Sequence, residues 1–400
     1  MAMGGNGGVM PGDGRWLLPE GIEELLPAEA RTVERMRRDL LDLCARWGYE
    51  LVMPPLVEFT ESLLIGLGPD LDLQTFKLTD QISGRSLGLR PDITPQVARI
   101  DAHSLRREGP SRLCYAGSVL HTRARSPHAS RSPIQVGAEL YGDASLAADI
   151  EVVSLMLEML RVAGVANLTL DLGHVGIFRS LMDHLALPEG VAEELFDALQ
   201  HKSEPSIRAL LAGAGLAPGH AAVLGRLAGL NGGREVLAEA SAMFPDGPPG
   251  IGSALRALSE VADAVEQRAP GVTLHFDLCE LHGYHYHTGL VFAAYAPGQG
   301  EALANGGRYD DIGQVFGRAR PATGFNTDLK ALLRLARARA PQGQAVVFVP
   351  HTLAAQAWDE IRRLRDKGEC VLVGLPGETP SSRCDRELRP AGNGWELKTL

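Results

Sequence analysis

The stretch from Leu281 to Asp311 constrains the fold of this chain more than any other. It reads L-H-G-Y-H-Y-H-T-G-L-V-F-A-A-Y, breaks at Pro297-Gly298-Gln299-Gly300, and resumes as A-L-A-N-G-G-R-Y-D-D. Tyr284, His285, Tyr286 and His287 alternate, so a strand there shows one set of rings on each face. Ala302 and Leu303 begin a return strand, and Asn305-Gly306-Gly307 brings a second backbone close to whatever the first strand faces. Arg308 and Tyr309 fall at that bend. The pattern predicts a long hairpin with a ligand pocket on one face; the ordinary alternative is a hairpin packed on the core with surface histidines. His282, His285 and His287 do not share one strand face, and no Cys or carboxylate stands at ligand spacing, so no metal site and no cofactor are expected.

A chain of 400 residues predicts two or three domains, and 45% hydrophobic with 22% charged residues is a soluble globular composition. No run of about 18 apolar residues and no charged-then-apolar leader occurs, so no membrane span is expected and the predicted location is the cytoplasm. Met1 to Gly14 is Gly-rich and predicted to be disordered. Cys44, Cys114, Cys279, Cys370 and Cys384 are scattered without a C-x-x-C pair, which fits reduced thiols. The formal net charge of −10 opposes binding to a polyanion unless one face is locally basic.

After Pro27, Val33, Met36, Leu40, Leu43 and Trp47 recur at helical spacing and stop at Gly48, which predicts one amphipathic helix. Tyr49 to Val57 follows as a strand interrupted by Pro54 and Pro55, so it lies at an edge or an interface. Phe76-Lys77-Leu78, Gly88-Leu89-Arg90 and Leu113-Cys114-Tyr115 predict short strands, with a helix from Thr94 to Leu105 between the last two. A strand V-L-H-T-R-A-R, a polar loop from Ser126 to Pro133 and a return strand I-Q-V-G-A-E-L-Y-G come next. Loops of this composition order around a ligand or stay open.

Asp149 to Val162 predicts a helix and Leu168 to Gly173 a strand. From about 189 to 269, short Ala/Leu-rich segments with Gly and Pro stops predict a helical insertion. Thr273 to Leu278 returns to the sheet, and Thr323-Gly324-Phe325-Asn326 leads into a helix from Asp328 to about Ala338. Beyond a linker from Pro341 to Gln344, Val346 to Val349, a helix from Leu353 to about Lys367 and Cys370 to Val373 predict one small βαβ unit. The predicted fold class is α+β, with a main domain over 15–340 and a C-terminal unit over 341–400.

These elements, in this order, resemble the catalytic core of class II aminoacyl-tRNA synthetases, and the residues are most similar to histidyl-tRNA synthetase. The resemblance covers roughly Trp16 to Ala338 and rests on separated motifs. They are Gly48 to Pro55 as motif 1, L-R-P-D-I-T-P from Leu89, the Val119 to Gly142 hairpin as motif 2, the histidine-specific stretch from His282 with G-G-R-Y-D at Gly306, and Thr323 to Leu332 as motif 3. It implies an antiparallel sheet flanked by helices, with a helical insertion and a small C-terminal α/β unit, and a dimer through motif 1. It also implies histidine contacts. Asp92 and Thr94 match positions on the α-amino group, Gln135 and Glu139 match the pair that reaches the amino group and the imidazole, Tyr309 matches an aromatic beside the ring, and Tyr286 is expected in the same histidine site. His287 stands where that family has a tyrosine.

The departures fall on adenylation. Motif 2 of the synthetases carries an arginine for the α-phosphate and a glutamate for adenine, where this chain has His121 and Arg123. The histidine-specific stretch begins there with an arginine, here His282, and motif 3 ends in a glutamate-arginine pair, here Lys330 and Ala331. Charge developing on phosphorus needs fixed cations, which a largely neutral histidine and an alanine do not supply. The roughly 60 residues after Pro341 are short for an anticodon-binding domain, which argues against tRNA. A synthetase-like chain that keeps histidine contacts and loses adenylation resembles the regulatory subunits of ATP phosphoribosyltransferase. That resemblance implies a non-catalytic homodimer inside a hetero-oligomer with a short-form ATP phosphoribosyltransferase catalytic subunit. The chain would activate this partner in the first step of histidine biosynthesis and relay feedback by L-histidine, which inhibits by binding one state of the complex more tightly. Two alternatives stay open at this point: a divergent histidyl-tRNA synthetase-like enzyme that activates histidine with ATP, and a scaffold with an empty relic pocket.

Overall fold

The computed structural model describes residues 16–64, 69–124, 126, 129–185, 189–213, 224–245, 247–279, 286–336 and 345–400. The expectations for Met1 to Gly14, for Pro341 to Gln344, and for His282, Tyr284 and His285 lie outside these residues. The chain divides into two compact units, Met1–Arg337 and Ala338–Leu400.

The first unit is built on a sheet in the order β1 (Glu50–Leu51), β5 (Ser111–Ser118), β6 (Ile134–Tyr141), β12 (Ala322–Asp328), β11 (Ala304–Arg308), β10 (Leu290–Tyr295), β7 (Thr169–His174), β9 (Thr273–Asp277) and β8 (Asn231–Gly232). Pairing is antiparallel except for β1 with β5 and β7 with β9. A smaller sheet joins β2 (Val57–Phe59), β4 (Ser86–Leu89) and β3 (Phe76–Thr79). Alternation along β6 sends Val136, Ala138 and Leu140 into the main core. There they meet the Pro27–Arg46 helix, through Val33, Met36, Leu40 and Leu43, and the Leu146–Val162 helix, whose Val152, Leu155, Met156, Met159 and Leu160 are all buried. The intervening residues of β6 (Gln135, Gly137, Glu139 and Tyr141) face the other side of the sheet.

Prolines 54 and 55 act as expected, since β1 is the edge of the large sheet and only two residues long. Arg90 replaces the missing ladder bonds, donating from Nη1 to Pro54 O at 2.8 Å and from Nε to Ser118 O at 2.9 Å. The helix that begins at Thr94 is α-helical only to Arg99 and continues as a π-helix, Ile100–Leu105. Inside that wider turn Asp101 pairs with both carboxylate oxygens against Arg320 Nη1, at 3.0 and 3.1 Å.

Three sequence expectations need correction. Val119 to Ala124, the described part of the expected V-L-H-T-R-A-R strand, is not a second strand, because β5 runs from Ser111 and stops at Ser118. Beyond it the two arms stay joined by Val119 N–H to Pro133 O and His121 N–H to Arg131 O, while Pro133 has no N–H to complete a ladder. The second correction concerns Tyr286 and His287, which precede β10 rather than belong to it, because Tyr286 turns inward to stack on Tyr309. The third is the C-terminal unit, which is more than one βαβ. Its β13 (Val346–Val349) and β14 (Cys370–Val373) are joined by β15 (Cys384–Ala391) and β16 (Gly394–Thr399) in the order β14-β13-β15-β16. Val347, Val349, Val371 and Leu388 pack on Ile361 and Leu364 of the Trp358–Asp366 helix, giving the unit its own core.

Candidate functional site

On the sheet face away from the main core, Gly137 of β6 lies opposite Asn326 of β12, and Gly324 opposite both Glu139 and Gly307. Absent side chains in the middle of three adjacent strands leave a hollow. Gly324 in particular is required, since a Cβ there would run into the Glu139 carboxylate. The hollow holds a cavity of about 190 Å³ lined by Asp92, Thr94, Glu139, Tyr286, His287 and Tyr309, among others.

Glu139 sits at its floor and is 1% exposed. Tyr115 donates its hydroxyl to Oε1 at 3.0 Å, and the Tyr309 hydroxyl donates to Oε2. Tyr115 also meets Thr94 Oγ1 at 3.1 Å, which links the wall to the floor. Tyr286 stacks on Tyr309 with centroids 5.0 Å apart, and His287 meets Tyr286 edge-on at 5.3 Å. The Tyr286 hydroxyl is buried without a hydrogen-bond partner among the described residues. Asp92 Oδ1 accepts from Thr94 N–H at 2.8 Å and from Gln135 Nε2 at 3.2 Å, while Gln135 Oε1 accepts from Ile93 N–H at 2.9 Å. One glutamine therefore ties the start of the Thr94–Arg99 helix to the sheet.

Burial pushes the Glu139 carboxyl up from 4.5 to about 8, against the two phenol hydrogen bonds that pull it down. The folded protein thus holds a proton on Glu139 at neutral pH that the unfolded chain releases above its ordinary value. The stabilisation from this proton is complete below about pH 4.5 and is lost as pH rises toward 8. In thermal melts of the ligand-free protein, the melting temperature should fall by a few degrees more across this window in wild type than in Glu139→Gln. Parallel curves for the two proteins would place the titration elsewhere.

A second, smaller cavity of about 120 Å³ adjoins the first, with Asn305 and Asn326 lining both. It contains His121, Gln135 and Ala331, three of the positions singled out from the sequence. His121 is buried, and its Nε2 lies 2.8 Å from Pro91 O, so Nε2–H donates to that carbonyl. Lys330 turns away and donates to Ser132 Oγ at 3.0 Å. Of the described residues lining this cavity, Arg334 is the one arginine or lysine, opposed by Glu301 and Asp328. That is a poor cradle for a polyphosphate.

Six of the seven residues expected at a histidine site therefore line one cavity, and Gln135 lines the next. Arg123 is exposed and lines neither, and His282 lies outside the described residues. Arg308, expected at the bend, faces the opposite side of the sheet from Tyr309. It is bound to Asp149 Oδ2 at 3.0 and 3.1 Å, to Asp310 at 3.1 Å, and to the carbonyls of Asp143 and Ser145. Tyr115, Asn305 and Asn326 had not been singled out. Asn305 sits within the A-N-G-G-R-Y run, so its neighbours were the available clue.

A family model described as Histidyl-tRNA synthetase matches residues 21–332. A second, described as ATP phosphoribosyltransferase subunit HisZ C-terminal domain, matches residues 344–398. The ATP phosphoribosyltransferase regulatory subunit of Ectopseudomonas mendocina is 55% identical over 390 residues, spanning 96% of this chain and 98% of that protein. The chain belongs to the ATP phosphoribosyltransferase regulatory subunits. The member from Azotobacter vinelandii is 53% identical over 390 residues, with 96% and 98% covered. An ATP phosphoribosyltransferase regulatory subunit/histidyl-tRNA synthetase from Bacillus halodurans C superposes with a TM-score of 0.81 at 29% identity, over 92% of this chain and 94% of that one. Histidyl-tRNA synthetase from Nostoc sp. PCC 7120 superposes with a TM-score of 0.76 at 18% identity, over 94% and 91%, a likeness of fold alone. The class II synthetase-like fold expected from the motifs is thus the fold observed, and the family is one of non-catalytic subunits. Among the described residues no helix is long and apolar enough to cross a membrane, and no group of three His, Cys, Asp or Glu could hold a metal ion.

Proposed function

We propose that this regulatory subunit binds L-histidine over Glu139 and, assembled with a short-form ATP phosphoribosyltransferase catalytic subunit, activates it and relays feedback inhibition in the first step of histidine biosynthesis. The observation that carries this reading is a cavity lined by both Asp92 and Glu139 beside a stack of tyrosines, with no lysine or arginine among its described lining residues. A ligand with an ammonium group and a ring N–H meets Asp92 and Glu139, and Glu139 releases its proton as it accepts the ring N–H, while Tyr286 and Tyr309 supply an aromatic wall for the imidazole. An analogue without the ring N–H forfeits the contact with Glu139, which then keeps only its two phenol partners, and that loss is how such a site selects. A difference of about 1–3 kcal/mol in histidine affinity between two states of the complex is enough for feedback.

The second cavity supports a sensor rather than a synthetase, since His121 and Ala331 stand where phosphate cations would be needed. Leu51, Met53 and Leu56, exposed at 44%, 76% and 45% beside the edge strand β1, support a homodimer through that edge. The purified chain should show histidine-dependent ATP–pyrophosphate exchange no higher than background. Mixed with the catalytic subunit, it should elute as one complex of even subunit number by size exclusion with mass measurement. Robust exchange would favour the enzyme, and separate elution would remove the regulatory role.

A further inference from the structure

A cavity of about 740 Å³, far larger than either of those above, opens on the other face of the sheet. It forms where the Pro27–Arg46 helix ends at Trp47, against the C-terminal half of the Leu146–Val162 helix and the end of the Pro249–Arg268 helix. Leu157, Leu168 and Val265 make an apolar floor. Trp47 forms a wall, its Nε1 donating to Glu158 Oε2 at 3.0 Å. Two arginines stand on the rim. Arg161 keeps 72% of its side chain exposed and reaches Glu158 only at 3.6 Å, while Arg268 donates to Ser154 Oγ at 3.1 Å. Glu158 is thus already engaged by Trp47, and the rim presents positive charge on a chain whose net charge is −10. An apolar trough rimmed by available guanidinium groups complements an apolar side chain flanked by carboxylates, because arginine pairs with carboxylate through parallel hydrogen bonds.

The floor of this groove is mechanically continuous with the cavity over Glu139. The Leu146–Val162 helix has 17 residues, a rod of roughly 25 Å. Its C-terminal half lines the groove. Its N-terminal end is clamped by Arg308, which bonds Asp149 and Ser145 O and immediately precedes Tyr309. Movement of Tyr309 about a bound ligand therefore bears on the same helix that floors the groove.

We propose that this groove is the docking site for the catalytic partner, taking a segment that presents an apolar side chain between acidic residues. The proposal rests on the regulatory reading above and adds the surface on which it acts. The test uses the full chain and the ATP phosphoribosyltransferase catalytic subunit. Two variants are compared with wild type by calorimetric titration and sizing: the double charge reversal Arg161→Glu/Arg268→Glu, and Ala269→Trp, which fills the groove from its half-buried end. Each should lower affinity for the catalytic subunit at least about tenfold, and the wild-type interaction should weaken with salt. Histidine binding by the isolated variants should stay within about twofold of wild type, which controls for folding. Arg161→Lys/Arg268→Lys, which keeps the charge and loses the parallel hydrogen bonds, should fall between wild type and the charge reversal.

If wild type forms the complex and both variants match it, the groove is not the docking surface, while the regulatory reading stands. If wild type forms no complex at all, both fail together. If the variants instead change the chain's own oligomeric state and leave partner binding intact, the groove joins copies of this chain and the proposal is overturned.

Discussion

Glu139→Gln should weaken histidine binding by about 1–3 kcal/mol, roughly five- to 150-fold, with little change in the fold. The substitution keeps the volume of a side chain that is 1% exposed and wedged against Gly324, so it opens no new cavity and adds no bulk. What changes is the pattern of donors. When a ligand N–H approaches, Glu139 gives up the proton it holds in the empty site, and the resulting carboxylate accepts from Tyr115, Tyr309 and that N–H, which a glutamine cannot do. A glutamine satisfies one phenol with its carbonyl and turns an NH₂ toward the other groups, so a donor faces the ligand's donor. Calorimetric titration of histidine into both proteins measures the difference, and matched thermal melts separate it from misfolding. Equal affinities would put histidine somewhere other than this hollow.

Arg308→Met is expected to have the largest effect on stability, about 3–5 kcal/mol. Arg308 and Asp149 side chains are 9% and 4% exposed, and Arg308 also holds two backbone carbonyls. Burial raises the Asp149 carboxyl above its ordinary 3.8 even with the guanidinium beside it. Without Arg308 that carboxyl must take up a proton or stay charged with no counter-ion, so the loss should be greater at pH 7 than at pH 5. Arg308→Met/Asp149→Leu should recover most of the stability, because removing both charges costs far less than stranding one. Denaturant melts at the two pH values decide it. A single variant as stable as wild type, or a double variant no better than the single, would contradict this account of the ion pair.

The candidate site was legible through the family resemblance, and strand alternation added that some of its residues share a face. The run I-Q-V-G-A-E-L-Y places Gln135 and Glu139 on one face of β6, and Tyr309 follows a glycine pair that lets two strands approach. Asp92 was reached only through the motif, since nothing local says that a Pro-Asp-Ile-Thr-Pro turn lies under a strand beginning forty residues later. What failed did so for identifiable reasons. Tyr286 and His287 have the period of a strand, yet ring stacking on Tyr309 outweighs pairing and β10 starts only at Leu290. Tyr115 reads as a core aromatic, and only the fold shows its hydroxyl bridging Thr94 and Glu139. Strands β15 and β16 are rich in charge, which hid them, although the two-residue Gly392-Asn393 turn between them was an available hairpin signal. The groove at Trp47 has no motif at all, because it is assembled from the ends of three helices far apart in the chain.

The central claim, a sensor that acts through a partner, is tested most directly by the rate of the short-form ATP phosphoribosyltransferase catalytic subunit as this chain and then histidine are titrated in. The account predicts that wild type and Glu139→Gln raise the uninhibited rate to nearly the same plateau, while the variant needs roughly five- to 150-fold more histidine for half-inhibition. An unchanged rate on adding the chain, or inhibition curves that superpose for the two proteins, would contradict it.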